Sequence, residues 1–156
     1  MGFWKQPPVI KLYEALGALG DGRVEMHGDH AVIWSSMRKK HYEVSYDEAS
    51  GAIMANDNGS YWQGYLGYPA IGYLLARGVV SYDSRLAEYF QGFDWKAIAT
   101  KYKNNWGRVE QQVREKAVAT FPEIDLSRLD ANLAAMMQDL MALNLVTLGT
   151  KQLPPS

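Results

Sequence analysis

"RVEMHGDHAVIW", Arg23 to Trp34, is where the hydrophobic pattern of the chain changes period. Before it, apolar residues recur every three or four positions. Within it they alternate. Gly28-Asp29 lies at the centre, with glycine at the first turn position, as a type II′ hairpin prefers. A two-residue loop at that point sets the register. Val24 faces Ile33, Met26 faces Ala31, Glu25 faces Val32 and His27 faces His30. The first two pairs are apolar and belong against a core. The other two belong on the opposite face.

Working outward, the segment before the hairpin reads as a helix. Pro7 and Pro8 suit its first turn, Val9, Leu12, Tyr13, Leu16 and Leu19 form its apolar stripe, and Gly20 to Gly22 end it. After the hairpin, "HYEVSYD" predicts a third strand with Tyr42, Val44 and Tyr46 on one side, and "AIMAN" a fourth. Asn58-Gly59 is a turn signal. It either launches a fifth strand at Ser60–Tyr65 or opens a loop.

From Pro69 the pattern is helical. Ile71, Leu74 and Leu75 point inward before Gly78, and Asp83 or Ser84 caps a short helix that stops near Gly92. Asp94 caps a segment with Trp95, Ile98 and Tyr102, and Val109 and Val113 mark a further helix. The last helix starts at Asp125 or Ser127. Its apolar residues fall at Leu129, Leu133, Met136, Leu140 and Leu143, a heptad spacing. Met137, Met141, Leu145, Val146 and Leu148 make its second half apolar nearly all round, suited to the core or to a self-association face. Segregated strands and helices predict an α+β fold: an N-terminal helix, an antiparallel meander of four or five strands, and about four C-terminal helices on one sheet face. Residues 1–156 are expected to form one domain, with 150–156 as a tail.

Composition removes several classes of function. The chain has 156 residues, 47% hydrophobic and 21% charged, with a formal net charge of −1. Near-balanced charge gives no global field toward nucleic acid or membrane. There are no cysteines, hence no disulfide, thiolate metal site or cysteine nucleophile. No segment approaches the length of a membrane span. A cytoplasmic protein without cofactor is the expectation.

The stretch richest in candidate binding groups is "NDNGSYWQGYLGYP", Asn56 to Pro69. Tyr61, Trp62, Tyr65 and Tyr68 offer large rings, each with a polar atom that needs a partner. Asn56, Asp57, Asn58 and Ser60 offer such partners, and also suit tight turns. The residues predict either a sealed sheet-to-helix corner or an aromatic patch that receives a small molecule or a protein. The working expectation is a non-catalytic binding or interaction module using Asn56, Asp57, Asn58, Ser60, Tyr61, Trp62, Tyr65 and Tyr68.

Two alternatives come from the same residues. A small enzyme at this corner would use Asp57, Ser60 or His41. A weak nucleic-acid binder would use the basic residues between Lys96 and Lys116, which acidic neighbours dilute. His27 and His30, flanking the hairpin turn, are two of the ligands that zinc would require, and the sequence supplies no clear third.

Overall fold

The computed structural model describes residues 2–156. Helix α1 (Ile10–Gly20) leads into strands β1 (Val24–His27), β2 (His30–Trp34), β3 (His41–Asp47) and β4 (Ala52–Ala55). A π-helical turn at Gly59–Gln63 follows. Next come α2 (Tyr68–Arg77), α3 (Ser84–Tyr89), α4 (Trp95–Lys101), α5 (Trp106–Thr120), α6 (Leu126–Ala142) and a short β5 (Val146–Thr147). The class is α+β, as the period change at Arg23–Trp34 implies. Five α-helices follow the meander, one more than the expected group of about four.

The hairpin has the register that its alternation dictates, but Met26, expected against the core with Val24, is exposed near the hairpin tip. Val24 pairs with Ile33, Glu25 with Val32, Met26 with Ala31 and His27 with His30. Gly28 carries a positive φ of 71°, which a side chain would resist. β3 alternates in turn: Val44 and Tyr46 are buried and Tyr42 partly so, while His41, Glu43, Ser45 and Asp47 face outward. The strand order is β1-β2-β3-β4-β5.

The fifth strand is not at Ser60–Tyr65. There the Asp57 side chain accepts the backbone N–H of Ser60 and starts a helical turn. The edge position beside β4 is taken by Val146–Thr147, which runs parallel to it. The last helix therefore ends at Ala142, and Leu145, Val146 and Leu148 belong to this return strand and its flanks rather than to a longer helix. The N-terminal residues cover the other side of β5. Trp4 N–H donates to Leu145 O, and the Trp4 indole donates to Ile53 O at 3.0 Å. The sheet edge is thereby paired and not exposed.

Helix α2 lies across β1 to β4, and α1 packs on α2, α3 and α5. This position explains why α1 is buried on nearly every side and not along one stripe. Its close approach to α3 depends on Gly20, where a Cβ would strike the Ala87 carbonyl. Each helix start expected from an acidic residue has its cap. Asp83 accepts from Arg85 N, Asp94 from Ala97 N and Asp125 from Arg128 N. On α6, Leu129, Leu133, Met136 and Leu140 are buried, while Met137, Met141 and Leu143 are half-buried.

Candidate functional site

Helix α1, Ile-Lys-Leu-Tyr-Glu-Ala-Leu-Gly-Ala-Leu-Gly, contains two charges, Lys11 and Glu14. One turn apart, they share a face. Burial of the helix takes both with it: Lys11 Nζ lies 3.4 Å from Glu14 Oε2, with 14% and 9% of the side chains exposed. Lys11 also sits 4.7 Å from the centre of the Trp106 ring. This face is the floor of a cleft of about 1010 Å³.

Three walls rise from that floor. The β2–β3 connection supplies Ser35, Met37, Lys39 and Lys40. The π-helical corner supplies Asn58, Gly59, Trp62, Gln63 and Tyr65. Helix α4 and the start of α5 supply Asp94, Trp95, Lys96, Lys101 and Trp106. Arg23, Tyr42 and Tyr68 join Glu14 to line the rest.

The innermost groups are polar and largely dry. Arg23 is 1% exposed. Its Nε donates to Asp21 Oδ2 at 2.9 Å and its Nη1 to Trp34 O at 2.7 Å. Its Nη2 is buried without a partner. The Tyr68 ring stands 6.0 Å from the guanidinium carbon and meets Tyr42 edge-on at 6.0 Å. Burial pushes the Glu14 carboxyl up from its ordinary value, opposed by Lys11. Burial likewise pushes up the Asp57 carboxyl, opposed by its hydrogen bonds to Ser60. The phenols of Tyr42, Tyr65 and Tyr68 are all raised, desolvation being the leading cause.

The residues singled out in the sequence divide into two groups. Asn58, Trp62, Tyr65 and Tyr68 line the cleft. Trp62 is 67% exposed. Asp57 and Ser60 lie beneath it as a buried knot: Ser60 Oγ donates to Asp57 Oδ1 at 2.6 Å and accepts from Gly67 N at 3.3 Å. Asn56 accepts from Glu43 N across the sheet, at 2.8 Å. Tyr61 packs edge-on against Trp62, ring centres 4.7 Å apart, and its carbonyl receives Lys151 Nζ. The corner is a sealed joint at Asp57 and Ser60, with Trp62, Tyr65 and Tyr68 facing the cleft.

His41 does not join Ser60 and Asp57. It stands exposed at the start of β3 with its ring against Trp34, and among the described residues no hydrogen bond links it to either. His27 and His30 stack with ring centres 5.4 Å apart, each beside its own carboxylate, Glu25 and Asp29. Among the described residues no three His, Asp or Glu converge as metal ligands. The basic residues of 96–116 have different surroundings. Arg114 is engaged with Asp130 and Tyr13, Lys116 sits over Phe93, and Lys96 and Lys101 line the cleft.

Sequence reasoning missed Lys11, Glu14, Arg23, Tyr42 and Trp106. A signal for two of them was present. A helix with only two charges has no polar face to give to water, so both must be carried inside. Arg23 had no comparable mark, since its burial follows from the way α1 turns into β1.

The chain belongs to the family described as Uncharacterised conserved protein UCP014422, which matches residues 4–146. No curated protein and no solved structure matches it. Among the described residues no helix is long and apolar enough to cross a membrane.

Proposed function

We propose that this member of the family is a non-catalytic ligand-binding module whose small-molecule ligand occupies the cleft above α1. The observation that carries the reading is Trp62. A tryptophan 67% exposed on the wall of a deep cleft leaves a large apolar ring in water. Burial of such a ring is worth about 25 cal/mol for each Å² removed from water. Tyr65 and Trp106 complete a ring-lined surface above a polar floor, the composition expected of a small-molecule site. Ser60, the hydroxyl of this corner, is buried and held by Asp57, out of reach of a ligand in the cleft.

The test is a thermal-shift screen of a metabolite set against the wild type and Trp62→Ala. Compounds that raise the wild-type melting temperature and leave the variant unmoved support the reading. A screen in which every stabilising compound acts equally on both would remove the cleft from consideration.

A second reading, a small enzyme at the same corner, has one observation in its favour. Glu14 is a carboxyl in the cleft whose burial favours the neutral acid, a property shared by catalytic general acids. Turnover of any compound found in the screen, lost in Glu14→Gln with binding retained, would favour it.

A further inference from the structure

Resting on the cleft as a ligand site, the groups at its inner end narrow the ligand class. A guanidinium such as that of Arg23 brings a positive charge and five N–H donors. Two of its three nitrogens are committed, Nε to Asp21 and Nη1 to Trp34 O. Nη2 keeps two N–H groups with no acceptor in the protein, in a side chain 1% exposed. A buried donor left unpaired is costly, and more so for a charged group. Such a group is retained where an acceptor arrives from outside. Tyr68 lies beside the guanidinium, and Tyr42 beside Tyr68. The Tyr68 phenol interacts with the Arg23 guanidinium, which lowers its pKa against the rise from burial, and an O–H that faces a cation in this way has its proton left to donate elsewhere.

The charge around these donors limits what they accept. Lys39, Lys40, Lys96 and Lys101, with Asp94 among them, line the cleft away from Lys11, which is paired with Glu14 on the floor. They attract an anion and guide it inward. At the inner end, however, Glu14 faces the same space, and Asp57 lies close enough to repel it. A dianion such as phosphate would meet the Glu14 carboxyl, with Asp57 buried behind it. A singly charged, planar carboxylate meets them with half the charge. The walls that the rest of the ligand must cross are rings: Trp62, Tyr65 and Trp106.

We infer that the inner end of the cleft receives the carboxylate of a small planar organic acid, with Arg23 Nη2 and the phenols of Tyr42 and Tyr68 as donors and Trp62, Tyr65 and Trp106 against the ring system.

The experiment uses 2-naphthoate and 2-naphthamide, which share a ring system and differ in charge, titrated calorimetrically into the full chain. A hydrogen bond to a charged group contributes about 1.5–3 kcal/mol, so naphthoate should bind about 10-fold or more tightly than the amide. The double substitution Tyr42→Phe, Tyr68→Phe keeps both rings and removes both donors. It should weaken naphthoate about 10-fold, with the amide changing about 3-fold or less. Trp62→Ala should weaken both alike. If naphthoate and naphthamide bind equally and both depend on Trp62, the cleft remains a ligand site and the carboxylate class is overturned. If neither binds, the inference falls, while the thermal-shift screen still decides the wider reading. Displacement of naphthoate by inorganic phosphate more readily than by benzoate would assign the subsite to phosphate and overturn the carboxylate.

Discussion

The Ser60 hydroxyl donates a hydrogen bond to Asp57 Oδ1 at 2.6 Å, with both side chains buried beneath the aromatic corner. Ser60 N donates to Asp57 Oδ2 and Gly67 N to Ser60 Oγ, so the π-helical turn is tied to the Asp57 carboxylate directly and the start of α2 is tied to it through Ser60. The corner that carries Trp62 and Tyr65 is held in place by this knot.

Removing it should therefore be costly although it lies in no regular element. Ser60→Ala strips the carboxylate of its shortest hydrogen bond without giving it water. The expected loss is about 1–3 kcal/mol of unfolding free energy. Gly67→Ala should do at least as much, because a Cβ there would overlap the Asp57 carboxylate itself. Urea denaturation measures both. Midpoints unchanged from wild type would mean that the knot is incidental.

The contrast between this corner and the hairpin explains what was legible in the sequence. Arg23–Trp34 is a local structure, with alternation, a glycine turn and a register all contained in twelve residues. The helix starts at Asp83, Asp94 and Asp125 are equally local, and each cap forms as expected. The corner is not local. Asn58-Gly59 followed by alternating rings fits a strand, and only the reach of Asp57 to Ser60 makes it a helical turn. β5 is further still from local legibility: two residues, paired with a strand more than ninety positions earlier. Half of the candidate site was visible for the same reason. Trp62, Tyr65 and Tyr68 cluster in the chain. Glu14, Arg23 and Trp106 meet them only after folding.

Gly20 makes a prediction whose sign is at stake. In a helix, Gly→Ala gains about 1 kcal/mol of intrinsic propensity. At Gly20 the new methyl would collide with the Ala87 carbonyl, which is backbone of α3 and cannot swing aside. Overpacking of this kind costs about 1–3 kcal/mol. Gly20→Ala should therefore destabilise the protein despite its better helix former, as a lower melting temperature. A raised melting temperature would show that α1 and α3 separate freely.

Glu14 should leave a mark on the pH dependence of stability. Its carboxyl is raised above its ordinary 4.5, chiefly by burial, with Asp57 adding to the effect and Lys11 and Arg23 opposing it. The folded state thus holds a proton that the unfolded state releases. Its contribution to stability is whole below pH 4.5 and is lost as pH rises toward the folded value. Glu14→Gln removes this titration and keeps an acceptor for Lys11. The stability of the variant relative to wild type should grow from pH 4.5 upward, by at most about 1.4 kcal/mol per pH unit. A difference that stays flat, or that shrinks with rising pH, would contradict the burial of this carboxyl.

Trp62 separates binding from stability. Its ring is 67% exposed and touches Tyr61 edge-on, so little of its surface is buried by folding. Substitutions at such positions change stability by about 0.5 kcal/mol or less. Trp62→Ala should unfold at nearly the same urea concentration as wild type. Its ligand affinity should fall by far more, because the ring's apolar surface is removed from water only when the cleft is filled. Tyr73 provides the opposite case. It is fully buried, and its hydroxyl donates to Gly28 O at 2.8 Å, fastening α2 to the hairpin turn. Tyr73→Ala should cost about 3–5 kcal/mol, the range for a large aromatic removed from a core. Any loss of binding in that variant would follow from partial unfolding. Equilibrium unfolding and calorimetric titration of the two variants side by side make the comparison. If Trp62→Ala instead unfolded as readily as Tyr73→Ala, the exposed ring would be part of the scaffold, and the cleft would lose its main claim to a ligand.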